Sequence, residues 1–118
     1  MNETPSSSAL ACLTILLPAA AEERVVDWLL GRAGPAVEFS VHAVAARGPL
    51  VRLAEGEEHV RGYARRVEVK LIAPRETIDA LAAEAQALLA GTPGGYWVTP
   101  VERFVPFDAA AGRPGQAR

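Results

Sequence analysis

Arginines and glutamates gather in one long segment near the middle of the chain. The segment runs from Arg47 to Gly62, RGPLVRLAEGEEHVRG, and further arginines follow directly after it. Planar guanidinium groups bind carboxylates and phosphates through paired hydrogen bonds, so this cluster could clamp a small anion. A mixed run of charges is more often a solvated surface, and both interpretations stay open. The cluster consists of Arg47, Arg52, Arg61, Arg65 and Arg66 beside Glu55, Glu57 and Glu58.

Two histidines suggest a second kind of chemistry. His42 lies on the polar side of an alternating run, and His59 lies inside the long segment close to Glu57 and Glu58. Imidazole, carboxylate and thiolate groups bind divalent metals, so these residues together with Cys12 form a candidate metal site. Their spacing matches no established metal-binding motif. Histidines with a structural or incidental role are the favoured alternative, and His42 and His59 are the candidate ligands.

A glycine-rich turn, Gly91-Thr92-Pro93-Gly94-Gly95, supplies the third candidate site. Backbone amides in such a turn can hold an anion without any charged side chain. The turn also serves as a plain helix stop, because glycine adopts the backbone angles that end helices. Both roles are compatible with the sequence.

The periodicity of apolar residues predicts the elements that carry these candidates. Strands show short alternating or continuous apolar runs, whereas helices show apolar residues spaced three or four apart. The first strand is apolar on both faces and so needs cover on both. Trp28 and Trp97 are predicted to pack in the core or in an interface rather than to stack on a ligand. The predicted strands span residues 10–17, 37–42, 66–72 and 96–101, and the predicted helices span 20–30 and a stretch from Pro74 to Leu89.

The order strand, helix, strand, strand, helix, strand is that of a ferredoxin-like α+β fold, with an antiparallel four-stranded sheet and two helices on one face. The 118 residues, half of them apolar, suffice for one domain. We expect a disordered segment over residues 1–9, the domain over 10–107 and a flexible tail over 108–118. Because two helices cover only one side of the sheet, the second apolar face of the first strand is expected to pack against further copies, most simply in a homotrimer.

The composition narrows the possible partners and compartments. A net charge of −2 argues against nucleic acid, and a single cysteine excludes an internal disulfide and favours a reducing compartment. No apolar run reaches the roughly 20 residues of a membrane span, and the segment before Leu10 contains Glu3 but no Lys or Arg of a signal peptide. We therefore expect a cytoplasmic protein without membrane insertion. The sequence contains no nucleophile elbow, Walker loop or zinc-hydrolase motif, which argues against an enzyme.

The second half of the chain resembles the PII-like signalling proteins. The matching features are RVEVKLIAP, a helix and GTPGGYWVTPVER, and Gly48 falls where those proteins have a glycine at the base of their partner-binding T-loop. The resemblance covers residues 10–107 and is strongest to a PII-like branch often associated with heavy-metal efflux systems. It implies a homotrimer whose intersubunit clefts bind adenine nucleotides or a bicarbonate-like anion. It also implies that the long 47–62 loop contacts a target protein, with a membrane transporter among the candidates.

Position by position, the resemblance implies that the glycine turn faces phosphate and that the two bases of the long loop close the cleft. The turn lacks the Asp and Lys of typical nucleotide-binding members, and Phe104 to Phe107 stand where those members carry basic residues. A nucleoside monophosphate, a smaller anion or no ligand therefore fits the sequence better than ATP bound in the usual way. The implied ligand-binding residues are Arg47, Gly48, Arg61, Arg65, Arg66, Gly91, Gly94, Gly95 and Arg103.

Two functions from different classes follow. The first is a non-enzymatic PII-like regulatory sensor that binds a small anionic ligand between subunits and contacts a partner protein through the 47–62 loop. The alternative is a divalent-metal-binding or metal-tolerance-linked trimer similar to the copper-tolerance protein CutA, in which His42 and His59 take part. A scaffold subunit without any ligand is a third possibility.

Overall fold

The computed structural model describes residues 9–32, 37–47 and 64–108. The predicted elements occur in the predicted order, which confirms the ferredoxin-like α+β fold. Gly48, His59 and Arg61, as well as residues 1–8 and 109–118, lie outside the described residues. The elements are β1 (Leu10–Pro18), a 3₁₀ turn (Ala19–Ala21), α1 (Glu22–Gly31), β2 (Phe39–Ala46), β3 (Ala64–Pro74), α2 (Arg75–Leu88) and β4 (Gly95–Val101).

The four strands form one antiparallel sheet in the order β2-β3-β1-β4. In its central pair, Leu13 of β1 lies opposite Leu71 of β3, and Ile15 lies opposite Val69. Residues opposite each other point to the same face of a sheet, so these four side chains share one face. All four are buried in the core, and this is the face that the helices cover.

Both helices bury the apolar stripe that the helical period predicts. Val25 and Leu29 of α1 are buried, as are Ile78, Leu81 and Ala85 of α2. Together with the inner residues of β1 and β3 they form a single core. The second helix begins directly after a proline that precedes its first turn, where the missing N–H costs nothing because the first amides of a helix have no partner inside it.

The opposite side of the sheet, here called the open face, consists of the alternate residues of each strand. Neither described helix covers it. Leu10, Cys12 and Leu16 of β1 are only half-buried there. Two larger side chains of the same face are more exposed, Ile72 of β3 at 41% and Trp97 of β4 at 45%. The second face of the first strand thus lacks helix cover within the described part of the protomer, although Thr14, opposite Trp97, is buried.

The second strand differs from its predicted bounds at both ends. Val37 and Glu38 begin the alternating run but precede β2, which continues to Ala46. Residues 43–46 are all alanine or valine, so they show no polar and apolar contrast that periodicity could detect. Pairing with β3 holds them in the sheet as far as Ala46 opposite Ala64. The two strands therefore reach the base of the long segment as a pair.

A group of three polar side chains joins the end of α1 to α2. Glu84 Oε1 accepts hydrogen bonds from Trp28 Nε1 at 2.8 Å and from Arg32 Nε at 3.1 Å. Glu84 Oε2 accepts a further bond from Arg32 Nη2 at 2.8 Å. These bonds stabilise the ionised carboxylate and so lower the pKa of Glu84, with Arg32 as the largest cause and Trp28 second. Trp28 therefore adds a polar contact to the packing role that the sequence predicts.

We expect Glu84→Gln to reduce the free energy of unfolding by about 1 kcal/mol at neutral pH, because a charge-assisted contact is lost from a partly exposed site. A carboxylate whose pKa is lowered by folding stabilises the protein above its unfolded-state pKa. That contribution disappears as the pH falls through the lowered folded-state pKa. Denaturant unfolding should therefore show a difference between wild type and Glu84→Gln that shrinks on acidification.

Asp79→Asn is the matched control for this experiment. The Asp79 carboxylate contacts Arg75 Nε at 3.2 Å within α2, and both side chains are more than half exposed. Exposed pairs of this spacing contribute about 0.5 kcal/mol or less. A Glu84→Gln effect no larger than that of Asp79→Asn, or one that stays constant into acid, would contradict the stabilising role of Glu84.

Candidate functional site

The strand register brings the bases of the long segment and the glycine turn to one edge of the sheet. At this edge Pro18 of β1 lies opposite Arg66 of β3, and Leu16 lies opposite Gly95 of β4. The paired ends of β2 and β3 complete the edge. We call it the loop edge, because β2 ends and β3 begins there, before and after residues 48–63 of the sequence.

Most of the sequence-predicted ligand residues that the structure describes lie at the loop edge. Arg47 and Arg65 are exposed, whereas Arg66 keeps only 2% of its surface exposed. Arg66 Nη1 donates a hydrogen bond to the carbonyl oxygen of Arg65 at 3.1 Å. The glycines of the turn precede and begin β4, two strands away in the sheet. Cationic side chains and the turn therefore share one edge, as an anion site between them requires.

Arg103 lies at the other end of β4. The strand runs from Gly95 at the loop edge to Val101, which is opposite Leu10 at the far edge. At roughly 3.3 Å per residue, Gly95 and Val101 are about 20 Å apart. Within one protomer Arg103 therefore does not join the other candidates, and it could reach a loop edge only across a contact between copies.

The glycine turn has a defined conformation that explains two of its glycines. The Thr92 N–H donates a hydrogen bond to the Leu89 carbonyl at 2.9 Å, and Gly91 adopts a φ of 83°. Gly94 adopts a φ of 112°, and a Cβ at this position would overlap the carbonyl oxygen of Leu16. Backbone therefore packs directly on backbone at Gly94, and only glycine fits.

A cavity of about 110 Å³ lies between this turn, the end of α2 and the end of β1. Its walls include Leu16, Gln86, Leu89, Thr92 and Tyr96, and all of the residues that line it are uncharged. Sites for complete small molecules usually have about 300–1,000 Å³, so this cavity holds one group of a ligand rather than all of it. Sequence patterns do not single out Gln86 or Tyr96, and only their proximity to the glycines hints at a role.

A larger groove of about 540 Å³ lies on the open face at the far edge. Its apolar residues include Leu10, Cys12, Ile72 and Phe104, and Lys70 is among its polar residues. Phe104 belongs to the segment after β4, in which Val105 and Phe107 are also exposed. The sequence indicates this apolar segment, but the sheet register is needed to place Phe104 beside β1 and β3.

The candidate metal ligands are not assembled in the described part of the chain. His42 is exposed on β2 opposite Glu68, and its Nε2 lies 3.0 Å from Ser40 Oγ. The thiol of Cys12 lies 3.9 Å from Thr14 Oγ1. Among residues 9–32, 37–47 and 64–108, no group of three or more His, Cys, Asp or Glu side chains could hold a metal ion. A site that uses His42 and His59 stays a prediction, because His59 lies outside these residues.

The sequence predicts a protein without membrane insertion, and the described residues contain two α-helices. Neither combines the length and the apolar character needed to cross a bilayer.

A ferredoxin-like sheet, a glycine turn after its second helix and a long segment of sequence between β2 and β3 are features of the PII-like fold. CPII from Thiomonas intermedia K12, a nitrogen regulatory PII-like protein solved with ADP, AMP and bicarbonate, has a TM-score of 0.58 and 19% identity, over 84% of this chain and 97% of CPII. The GlnK-ATP complex of Bacillus subtilis has a TM-score of 0.54 and 15% identity, over 80% of this chain and 84% of GlnK. These likenesses confirm the PII-like fold.

The chain belongs to the DUF3240 family of proteins of unknown function, whose profile matches residues 7–107. A DUF3240 family protein from Shewanella baltica OS155 has a TM-score of 0.62 and 17% identity, over 85% of this chain and 98% of that protein. No curated protein matches the sequence. The PII-like resemblance inferred from the sequence is therefore confirmed for the fold.

Proposed function

We propose that this protein is a non-enzymatic PII-like regulator that binds a small anionic ligand at the loop edge and reports its presence to a partner protein through residues 47–62. The observation that carries this proposal is the position of Arg47, Arg65 and the glycine-turn cavity on the same edge, at the base of the long segment. A ligand that contacts both the cavity and the arginines bridges β4 to the base of that segment.

A homotrimer is the proposed form of the regulator. Ile72 and Trp97 expose apolar surface on the open face, and burying it against further copies is favourable. Contact between copies would also bring the segment after β4 of one copy, with Arg103, towards a loop edge of its neighbour. In that assembly the ligand site lies between subunits.

The proposed ligand is a nucleoside monophosphate or a bicarbonate-like anion. CPII is solved with ADP, AMP and bicarbonate, and GlnK with ATP, so PII-like folds accommodate ligands of this class. In this chain the glycine-turn cavity is small and uncharged, which supports a ligand with little phosphate charge. The ligand must bind two arrangements of the 47–62 segment unequally, since equal affinity would leave their populations unchanged.

Calorimetric titration of the full chain with AMP, ADP, ATP and bicarbonate tests the proposal. We expect binding of at least one of them, and we expect Arg65→Ala and Arg47→Ala each to weaken it about tenfold, because a charge-assisted hydrogen bond is lost. Arg75→Ala is the control, since Arg75 is an exposed arginine next to Pro74 at the far edge.

Two results would count against this function. If none of the four ligands gives binding heat, the protein is not a sensor of these anions. If Arg75→Ala weakens binding as much as Arg47→Ala and Arg65→Ala do, the loop edge is not the binding site. Parallel titrations with Cu(II), Zn(II) and Ni(II) address the metal-binding alternative. The metal-binding alternative would be favoured if binding heat with a metal ion disappears in His42→Ala and His59→Ala and the nucleotides give no binding heat.

A further inference from the structure

The two strands at the edges of the sheet carry no acidic residue, lysine or arginine. In the order β2-β3-β1-β4, β2 and β4 each have a single neighbour among the described strands. Charged residues make up 22% of the chain, yet none of them stands in FSVHAVAA of β2 or GYWVTPV of β4. The inner strand β3, by contrast, carries Arg65, Arg66, Glu68 and Lys70. The edges of this sheet therefore have the composition expected of its centre.

Both edges are also exposed and regular. No residue of β2 or β4 is buried. Each strand pairs with its neighbour residue for residue and without a bulge, β2 from Phe39 to Ala46 and β4 from Gly95 to Val101. Soluble proteins use charges, prolines and bulges to keep other strands from pairing with an edge. The one such feature in these two strands is Pro100, next to the end of β4.

An edge strand has backbone groups that its own sheet does not use. In an antiparallel sheet, successive residues direct their N–H and C=O groups alternately to the two sides of the strand. About half of the backbone groups of β2 and β4 therefore point away from the described sheet. An exposed and uncharged edge of this kind favours the addition of a further strand.

A second copy of the chain is the partner that fits both edges. An extended peptide from another protein would cover one edge only, whereas each copy supplies β2 and β4 together. The two strands have similar lengths, eight and seven residues. A contact between two different surfaces of one chain repeats from copy to copy and can close into a ring. Both edges border the open face, on which Trp97 of β4 lies exposed.

We propose that the β2 edge of one copy pairs with the β4 edge of the next copy through backbone hydrogen bonds. This inference rests on the homotrimer of the proposed function and names the surfaces by which its subunits meet. The open faces of neighbouring sheets then adjoin, and Trp97 packs beside β2 of the next copy. The partner that the β2 edge binds is thus another copy of this chain.

Hydrogen exchange at the amides of β2 tests this pairing directly. The strand contains no proline, so every amide from Ser40 to Ala45 can be followed. In the wild-type trimer we expect all of them to exchange at least about a hundredfold more slowly than in an unfolded chain. In a monomer, alternate amides of β2 should lose this protection. The amides of Leu13 and Val69 should keep it, because β1 and β3 have neighbours on both sides. The monomer is Trp97→Glu, or dilute wild type if that variant stays assembled.

Proline substitutions at two successive positions supply a matched pair of variants. Of the amides of Ala43 and Val44, one points to β3 and the other points away from it. Proline is tolerated in an edge strand where the missing N–H would face outward. One of Ala43→Pro and Val44→Pro should therefore keep the circular dichroism of the wild type but weaken the assembly at least about tenfold, because an intersubunit hydrogen bond is lost. The other variant should lose a hydrogen bond to β3 and unfold at a lower temperature.

Each result supports the pairing or overturns it, and hydrogen exchange decides alone if neither proline variant folds. Alternate β2 amides that exchange freely in a wild-type trimer overturn the inference. Protection that persists in a folded monomer also overturns it, because the edge is then covered within its own copy. A folded pair of proline variants that both assemble like wild type contradicts it as well. In these cases the homotrimer and the anion sensor survive. A monomeric wild type removes the inference and the homotrimer together, and calorimetry with the anions then decides the rest of the proposed function.

Discussion

Gly94→Ala is expected to lower the free energy of unfolding by about 3 kcal/mol or more. Gly94 adopts a φ of 112°, which side-chain-bearing residues rarely adopt, and a Cβ there would overlap the carbonyl oxygen of Leu16. That oxygen belongs to the backbone of a central strand, so it cannot rotate away as a side chain would. The variant must therefore move the glycine turn off β1 and open the cavity.

The neighbouring glycines provide a graded control. Gly91 adopts a φ of 83° but has open space around its Cβ position, so Gly91→Ala should cost about 1 kcal/mol from backbone strain alone. Gly95 has open space and no positive φ, and Gly95→Ala should change stability by less than about 0.5 kcal/mol. Urea unfolding of the three variants measures this order. Equal costs at Gly94 and Gly91 would mean that the contact with Leu16 yields easily.

Trp97→Glu is expected to convert the proposed trimer into monomers. Trp97 is 45% exposed on the open face, in the centre of β4 and opposite Thr14 of β1. In an assembly that buries this face, a carboxylate at position 97 would be removed from water, which costs several kcal/mol at each contact. Lys70, on the same face beyond Thr14, already contacts the carboxylate of Glu68 at 3.7 Å. The isolated fold should tolerate the change, because the side chain faces away from the helices and the core.

Ala80→Glu is the control for the added charge, since Ala80 is exposed on α2 on the other side of the sheet. Size-exclusion chromatography with light scattering gives the mass of each variant, and circular dichroism verifies its fold. We expect trimer mass for wild type and Ala80→Glu and monomer mass for Trp97→Glu. A monomeric wild type, or a Trp97→Glu variant that keeps its assembly, would contradict the proposed use of the open face.

The sequence predicts the fold well because its elements have strong local signals. The stripe from Ile78 to Ala85 has the helical period over two turns, and the first strand is apolar on both faces. The bounds of β2 depend on its pairing with β3 and not on local sequence patterns. β2 extends to Ala46 because β3 offers it a partner, although its last residues carry no alternation.

The candidate site was less predictable, because it depends on contacts between distant parts of the chain. The positions of Arg47, Arg65 and the glycines follow from the fold, so the sequence places them at one edge. The distance of Arg103 from that edge within a protomer follows only from the direction of β4. Gln86 gives no sequence signal, since a glutamine on an exposed helix surface is common.

The hydrogen bonds that join Trp28 and Arg32 to Glu84 were unpredictable for the same reason. Glu84 is 52 residues from Arg32 and 56 from Trp28 along the chain. Only the packing of α1 against the sheet beside α2 brings the three side chains together. No spacing rule within a single helix could identify these three residues as partners.

The paired ends of β2 and β3 have an evolutionary consequence. Ala46 and Ala64 face each other across adjacent strands, so the chain leaves and re-enters the sheet within about 5 Å. Doubling the length of a connection with fixed ends costs only about 0.6 kcal/mol. The fold should therefore tolerate insertions, deletions or wholesale exchange of residues 48–63, while the cavity lined by β1, α2 and β4 keeps its shape.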